Sequence, residues 1–235
     1  MNFADRIVLV AGGTGGLGRA VSLAFLHAGA QVSVTSRKPE ELGSLRAAAG
    51  AAAARLEAYN VNVTDNAAVE HMVQEIVTKN GRIDAMVNAV GGYAGAKLWE
   101  TEPAVLDSML ELNLRAGFAL SRAVARIMLR QGRGAIVNVA AKAAMEPGAG
   151  LAAYAASKAA AVAMMSSLAE DLKGSGVRVN SVLPSIIDTE ANRRTMPHAD
   201  FARWPKPEDI ARVILFLCSE EAKVIHGAAV PVYGS

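Results

Sequence analysis

Three observations predict an α/β fold built as one doubly wound parallel sheet with helices on both faces. Short apolar runs alternate with helical stretches from end to end. The first run feeds into a glycine turn, Gly12–Gly18, that opens a helix. No Pro/Ser-rich linker or internal repeat divides the 235 residues, so 1–235 reads as one domain.

Taken in order, Arg6–Ala11 is a β-branched apolar run, the mark of a strand buried on both faces. After the glycine turn, Arg19–Ala28 is helical, and Gln31–Ser36 alternates as a second strand. Pro39–Leu56 is an Ala-rich helical segment interrupted at Gly50, followed by a third strand over Leu56–Val63. Thr64 or Asp65 then caps an amphipathic helix, Ala67–Lys79. Ile83–Ala89 is the fourth strand, closed by the glycine-rich Gly91–Gly95. Glu102–Arg130 is a long helical stretch, divided or continuous, with Asn113 in its middle, where Asn either faces solvent or has a task. Ala135–Ala140 is the fifth strand, a helix runs from about Leu151 to Leu172, and Val177–Leu183 is the sixth strand, ended by Pro184. Lys206–Ser219 is a helix with Pro207 in its first turn, and Ala228–Val232 the last strand.

Composition narrows the function. The chain is 52% hydrophobic and 5% aromatic with a net charge of +2, and no Lys/Arg cluster suggests a nucleic-acid groove. One cysteine, Cys218, excludes an internal disulfide framework and reads as a small buried hydrophobe. Four scattered histidines give no metal-ligand spacing, and no signal peptide or membrane span is seen. A soluble cytoplasmic protein acting on a small molecule is the expectation.

A strand, a glycine turn and a helix together form an anion cradle. Gly12, Thr14, Gly16, Leu17 and Gly18 let the backbone approach a pyrophosphate, and the helix N-terminus points N–H groups at it. In dinucleotide folds an acidic residue ends the second strand and binds the ribose 2′-hydroxyl. Ser36-Arg37 stands there instead, a hydroxyl and a guanidinium suited to a 2′-phosphate, so NADP(H) is preferred and NAD(H) is the alternative. Tyr154 and Lys158 stand four apart in an Ala-rich helix and share one face. Such a pair serves acid/base work, the ammonium lowering the phenol pKa, or is a core tyrosine with a snorkelling lysine.

The ordered motifs Gly12-x3-Gly16-x-Gly18, Asn88-Ala-Val-Gly91, Asn113, Tyr154-x3-Lys158 and Pro184 followed by Thr189 resemble those of the short-chain dehydrogenase/reductase family, over essentially the whole chain. The resemblance implies a Rossmann-like oxidoreductase. Tyr154 would protonate the product, Lys158 would hold the nicotinamide ribose and depress the Tyr154 pKa, and Asn113 would hold a water linking Lys158 to bulk. Ile187 and Thr189 would contact the carboxamide, Asn62 and Val63 would flank the adenine, and Asn88, Ala89, Gly91 and Pro184 would line the cofactor. It also implies a homodimer or homotetramer through the Glu102–Arg130 and Tyr154–Leu172 helices.

One position departs from the pattern. The family's catalytic serine lies thirteen residues before the tyrosine, and here that residue is Ala141. Quinonoid dihydropteridine reductases share that loss, and three segments resemble theirs: Ala141–Gly148, Leu183–Trp204 and Gly91–Gly95. Ser36-Arg37 and Asn113 depart from that subgroup. A quinonoid dihydropterin is therefore the first acceptor to consider, a ketone or 3-oxoacyl compound the second, and a non-catalytic NADP(H)-binding regulatory protein the third. Tyr93 and Trp204 stack on a flat substrate or simply pack; Ala141, Lys142, His198 and Phe201 are further substrate candidates; Arg193 and Arg194 are expected to be solvated.

Overall fold

The computed structural model describes residues 1–234 and shows a seven-stranded, wholly parallel sheet. The strands are β1 (Ile7–Ala11), β2 (Gln31–Thr35), β3 (Leu56–Tyr59), β4 (Ala85–Asn88), β5 (Gly134–Val139), β6 (Val177–Pro184) and β7 (Ala229–Val232). Their spatial order is 3-2-1-4-5-6-7. The order reverses between β1 and β4, which opens the crevice where α/β sheets bind ligands.

Alternation along β1 shows how the sequence builds both layers. Val8 and Val10 face the core shared with α1 (Gly16–His27), α2 (Pro39–Ala49) and α8 (Pro207–Cys218). Ile7, Leu9 and Ala11 face the opposite core, built with α3 (Asn66–Asn80), α5 (Ala116–Gln131) and α6 (Ala152–Asp171). A strand buried on both sides has no polar alternation, which is why β1 reads as a continuous apolar run. Asp65, not Thr64, caps α3, its carboxylate accepting from the N–H groups of Ala67 and Ala68. The Cys218 thiol is buried and burial pushes its pKa up to about 12, as a packing residue requires. No helix among the described residues is long and apolar enough to cross a membrane.

Three boundaries differ from expectation. The α2 segment stops at Ala49, where Gly50 takes φ 54°, and a tighter helical stretch carries the chain to Arg55. β3 ends at Tyr59, not Val63, and Val63 turns into the α3 core. The long stretch after β4 is α4 (Pro103–Leu110) and α5, joined by a π-helical turn over Glu111–Arg115. A further short helix, α7 (Glu190–Thr195), follows β6.

Candidate active site

The carboxyl ends of β1, β4, β5 and β6 deliver the loops of the site. The cradle turns at Gly12, whose φ of 72° suits glycine. A Cβ there would sit 3.2 Å from the Ala89 carbonyl carbon, so the β1 and β4 turns touch at the crevice. A Cβ on Gly13 would lie 2.5 Å from Val34 Cγ1, and one on Gly18 would run into the Gly12 carbonyl. Leu17 buries its side chain in the core and leaves only main chain at the cradle. Gly15 caps α1 without a side-chain acceptor, so the first N–H groups of this 12-residue helix stay available to an anion. A Cβ on Gly16 would meet Thr189 Cγ2 at 3.0 Å, which brings the β6 loop over the cradle.

Tyr154 and Lys158 lie in the first two turns of α6. Lys158 is buried, 5% exposed, and its Nζ donates to the Val139 carbonyl at 3.1 Å. Two of its three N–H donors remain for a ligand. Burial lowers its pKa to about 8. Tyr154 moves the other way, up to about 12, through burial and the nearby Tyr93 phenol. Burial thus outweighs Lys158 at that phenol, where the sequence led to the expectation of a lowered pKa.

Asn113 is buried and faces inward because the π-turn rotates it there. Its Oδ1 accepts from Gly92 N–H at 2.9 Å, and its Nδ2 donates to the Gly92 carbonyl and the Ser157 hydroxyl at 3.0 Å each. Ser157 in turn donates to the Tyr154 carbonyl at 2.7 Å. The amide therefore ties the β4 loop to α6, and its N–H donors are spent on protein rather than on a water. A Cβ on Gly91 would stand 2.8 Å from Asn113 Oδ1 and 3.0 Å from Lys158 Nζ, so only glycine lets this loop reach both.

Other candidates separate by position. Asn88 is buried and spends its amide on Asn138 Oδ1, at 2.8 Å, and on the Val90 N–H; it shapes the loop rather than facing a ligand. Asn62 is exposed, its Oδ1 accepting from Thr64, while the Val63 side chain lies in the core and leaves only main chain to face a ligand. Pro184 is buried at the end of β6. The Ile187 carbonyl accepts from Asn192, and Thr189 caps α7, accepting from Asn192 N–H at 3.2 Å. Ala141 is buried in extended backbone beside α6. Tyr93 is 67% exposed and its ring meets that of Tyr154 edge-on at 5.1 Å. Lys142 pairs with Glu146 at 3.1 Å and lies over the Tyr233 ring, a surface arrangement. His198 is exposed, and Trp204 packs on Phe201 at 5.0 Å. Arg193 is not merely solvated: it grips Asp188 bidentately at 2.5 and 2.8 Å and covers the Phe201 ring, whereas Arg194 makes only a surface pair with Glu190.

The sequence did not single out Ser157, Asn138 or the Val139 carbonyl, whose roles depend on long-range neighbours. Ser157, a hydroxyl next to Lys158 in an Ala-rich helix, carried the one local signal among these three.

Comparisons with known proteins agree with the fold. A sequence profile described as short chain dehydrogenase matches residues 6–200. The 3-oxoacyl-acyl-carrier-protein reductase of Thermotoga maritima is 32% identical, the match covering 100% of this chain and 98% of that protein. An NAD+-bound xylitol dehydrogenase structure superposes with TM-score 0.92 at 25% identity over 100% of each chain. An ElxO structure with NADP bound gives TM-score 0.92 at 26% identity over 97% of each chain.

Proposed function

This chain belongs to the short-chain dehydrogenase family, and we propose that it uses NAD(P)H to reduce a small carbonyl compound, with Tyr154 as the proton donor. The observation that carries this is the buried Lys158, held by the Val139 carbonyl beside Gly91 and one helical turn from Tyr154. The chain's residues fit the dinucleotide: an uncapped α1 N-terminus for the pyrophosphate, and a buried ammonium with free donors for ribose hydroxyls. Ser36 and the exposed Arg37, at the end of β2, favour a 2′-phosphate. A bound reduced nicotinamide supplies hydride. Tyr154 delivers the proton from its hydroxyl to the developing alkoxide, and the Lys158 ammonium, one helical turn away, lowers the cost of the phenolate left behind. Asn113 and Ser157 keep α6 and the β4 loop in register while this happens.

The 3-oxoacyl reductase and the xylitol dehydrogenase named above act, by name, on an oxo group and on a polyol, which favours a carbonyl substrate over a pterin. A quinonoid dihydropterin is the second reading, favoured by the methyl at Ala141, which offers no hydrogen bond to a carbonyl oxygen. We also propose self-association as a homodimer or homotetramer: exposed Phe118 and Leu129 on α5 lie beside Met164, Leu168 and Leu172 of α6 and its end, a mainly apolar groove suited to a second copy.

The test is oxidation of NADPH and NADH with a 3-oxoacyl thioester, a small diketone, a ketose and freshly generated quinonoid dihydropterin. Turnover on a carbonyl supports the first reading, and turnover on the pterin alone supports the second. Tight cofactor binding without turnover on any of them replaces both with a dinucleotide-binding regulatory role.

A further inference from the structure

The corner at the end of β2 holds a carboxylate that the end-of-strand pattern does not announce. Glu41, in the first turn of α2, reaches back to the cradle, where its Oε2 accepts from the Thr14 hydroxyl at 3.0 Å. Its Oε1 accepts from Lys38 Nζ at 2.8 Å. Thr14 is buried and its hydroxyl also meets the Ser36 hydroxyl at 3.3 Å. Ser36, in turn, bonds the Lys38 carbonyl at 3.2 Å. The Ser36 hydroxyl, suited to a ribose 2′-substituent, is thus joined through Thr14 to an acid, while Arg37 stands exposed beside them.

We propose that Glu41 is the residue that sets the NAD(H) to NADP(H) ratio, opposing Ser36, Arg37 and Lys38. A carboxylate is an acceptor for a ribose diol and repels a 2′-phosphate. When a 2′-phosphate enters, it competes with Glu41 for Lys38 and Thr14. When a 2′-hydroxyl enters, Glu41 stays bonded and accepts from it. The Lys38 ammonium holds the Glu41 carboxyl below its usual range, so the repelling charge is present at neutral pH. Both cofactors are therefore admitted, and neither is strongly excluded. This inference rests on the dinucleotide reading of the cradle.

The test measures dissociation constants by calorimetry for NADP+, NAD+, 2′,5′-ADP and ADP, with wild type, Glu41→Gln and Lys38→Ala. Glu41→Gln keeps the shape and the Thr14 bond but removes the charge. It should tighten NADP+ and 2′,5′-ADP about tenfold at low salt, and weaken NAD+ about threefold. Lys38→Ala should move the ratio the opposite way, and both changes should shrink as salt rises. A NADP+ to NAD+ ratio within twofold of wild type in Glu41→Gln, with both cofactors binding, overturns the role of Glu41 and leaves the dinucleotide reading standing. Failure of wild type to bind either cofactor overturns both.

Discussion

Replacing Lys158 by methionine should stabilise the ligand-free protein while damaging its use of cofactor. The ammonium is moved from an ordinary 10.5 to about 8 by burial. At ~1.36 kcal/mol per pH unit, keeping it charged inside the fold costs about 3 kcal/mol. Because the folded pKa lies below the unfolded one, that cost is fully present below pH 8. It fades as pH rises and is gone above 10.5, so wild type gains stability across that window. Methionine keeps the apolar stem but leaves the Val139 carbonyl without its donor, which returns about 1 kcal/mol. The net gain near pH 7 is about 2 kcal/mol, or about 4–8 °C in Tm for a chain of this size. Denaturation of both proteins at pH 7 and at pH 10.5 reads the difference directly and cancels the other titrating groups. Saturating cofactor should then reverse the order, since only wild type retains the ammonium that binds it. A Lys158→Met protein less stable than wild type at pH 7, with no pH dependence in the gap, would refute the reasoning.

Tyr154→Phe should lower reduction by about 10³-fold or more while leaving the cofactor dissociation constant within twofold, by stopped flow and calorimetry. Ala141→Ser should raise turnover of a ketone by about tenfold or more and leave pterin reduction unchanged, as a rate comparison on the two acceptors will show. Arg193→Ala frees Asp188 and uncovers the Phe201 ring, so limited proteolysis within 190–203 should accelerate and KM should rise with kcat little changed.

The parallel sheet was legible because the central strands β1 and β4, buried on both faces, leave apolar runs, and because glycine marks both crevice turns. Lys158 and Tyr154 were legible from their spacing of one helical turn. What escaped was decided across the sheet. Nothing near Val63 says that it turns inward to meet α3, and nothing near Asn88 says that Asn138 waits on the adjoining strand. Glu41 carried no signal of its own, because its partner Thr14 lies 27 residues away. Tyr93 came forward as a stacking aromatic, yet its position beside Tyr154 follows from the path of a loop that no periodicity encodes.

The π-turn at Glu111–Arg115 admits an extra residue without turning α5 away from the core. A π turn takes about one residue more than an α turn, so these five residues sweep about the angle that four α-helical ones would. Deleting one residue to regularise the turn would therefore leave Ala116, Leu120, Val124 and Met128 facing the sheet. What it would change is the turn itself, and Asn113 would no longer be aimed at Gly92 and Ser157. The wide turn is thus a local spacer that points an amide at the catalytic helix while the next helix keeps its phase. A redesigned chain that drops the spare residue keeps its core and loses the tie between the β4 loop and α6.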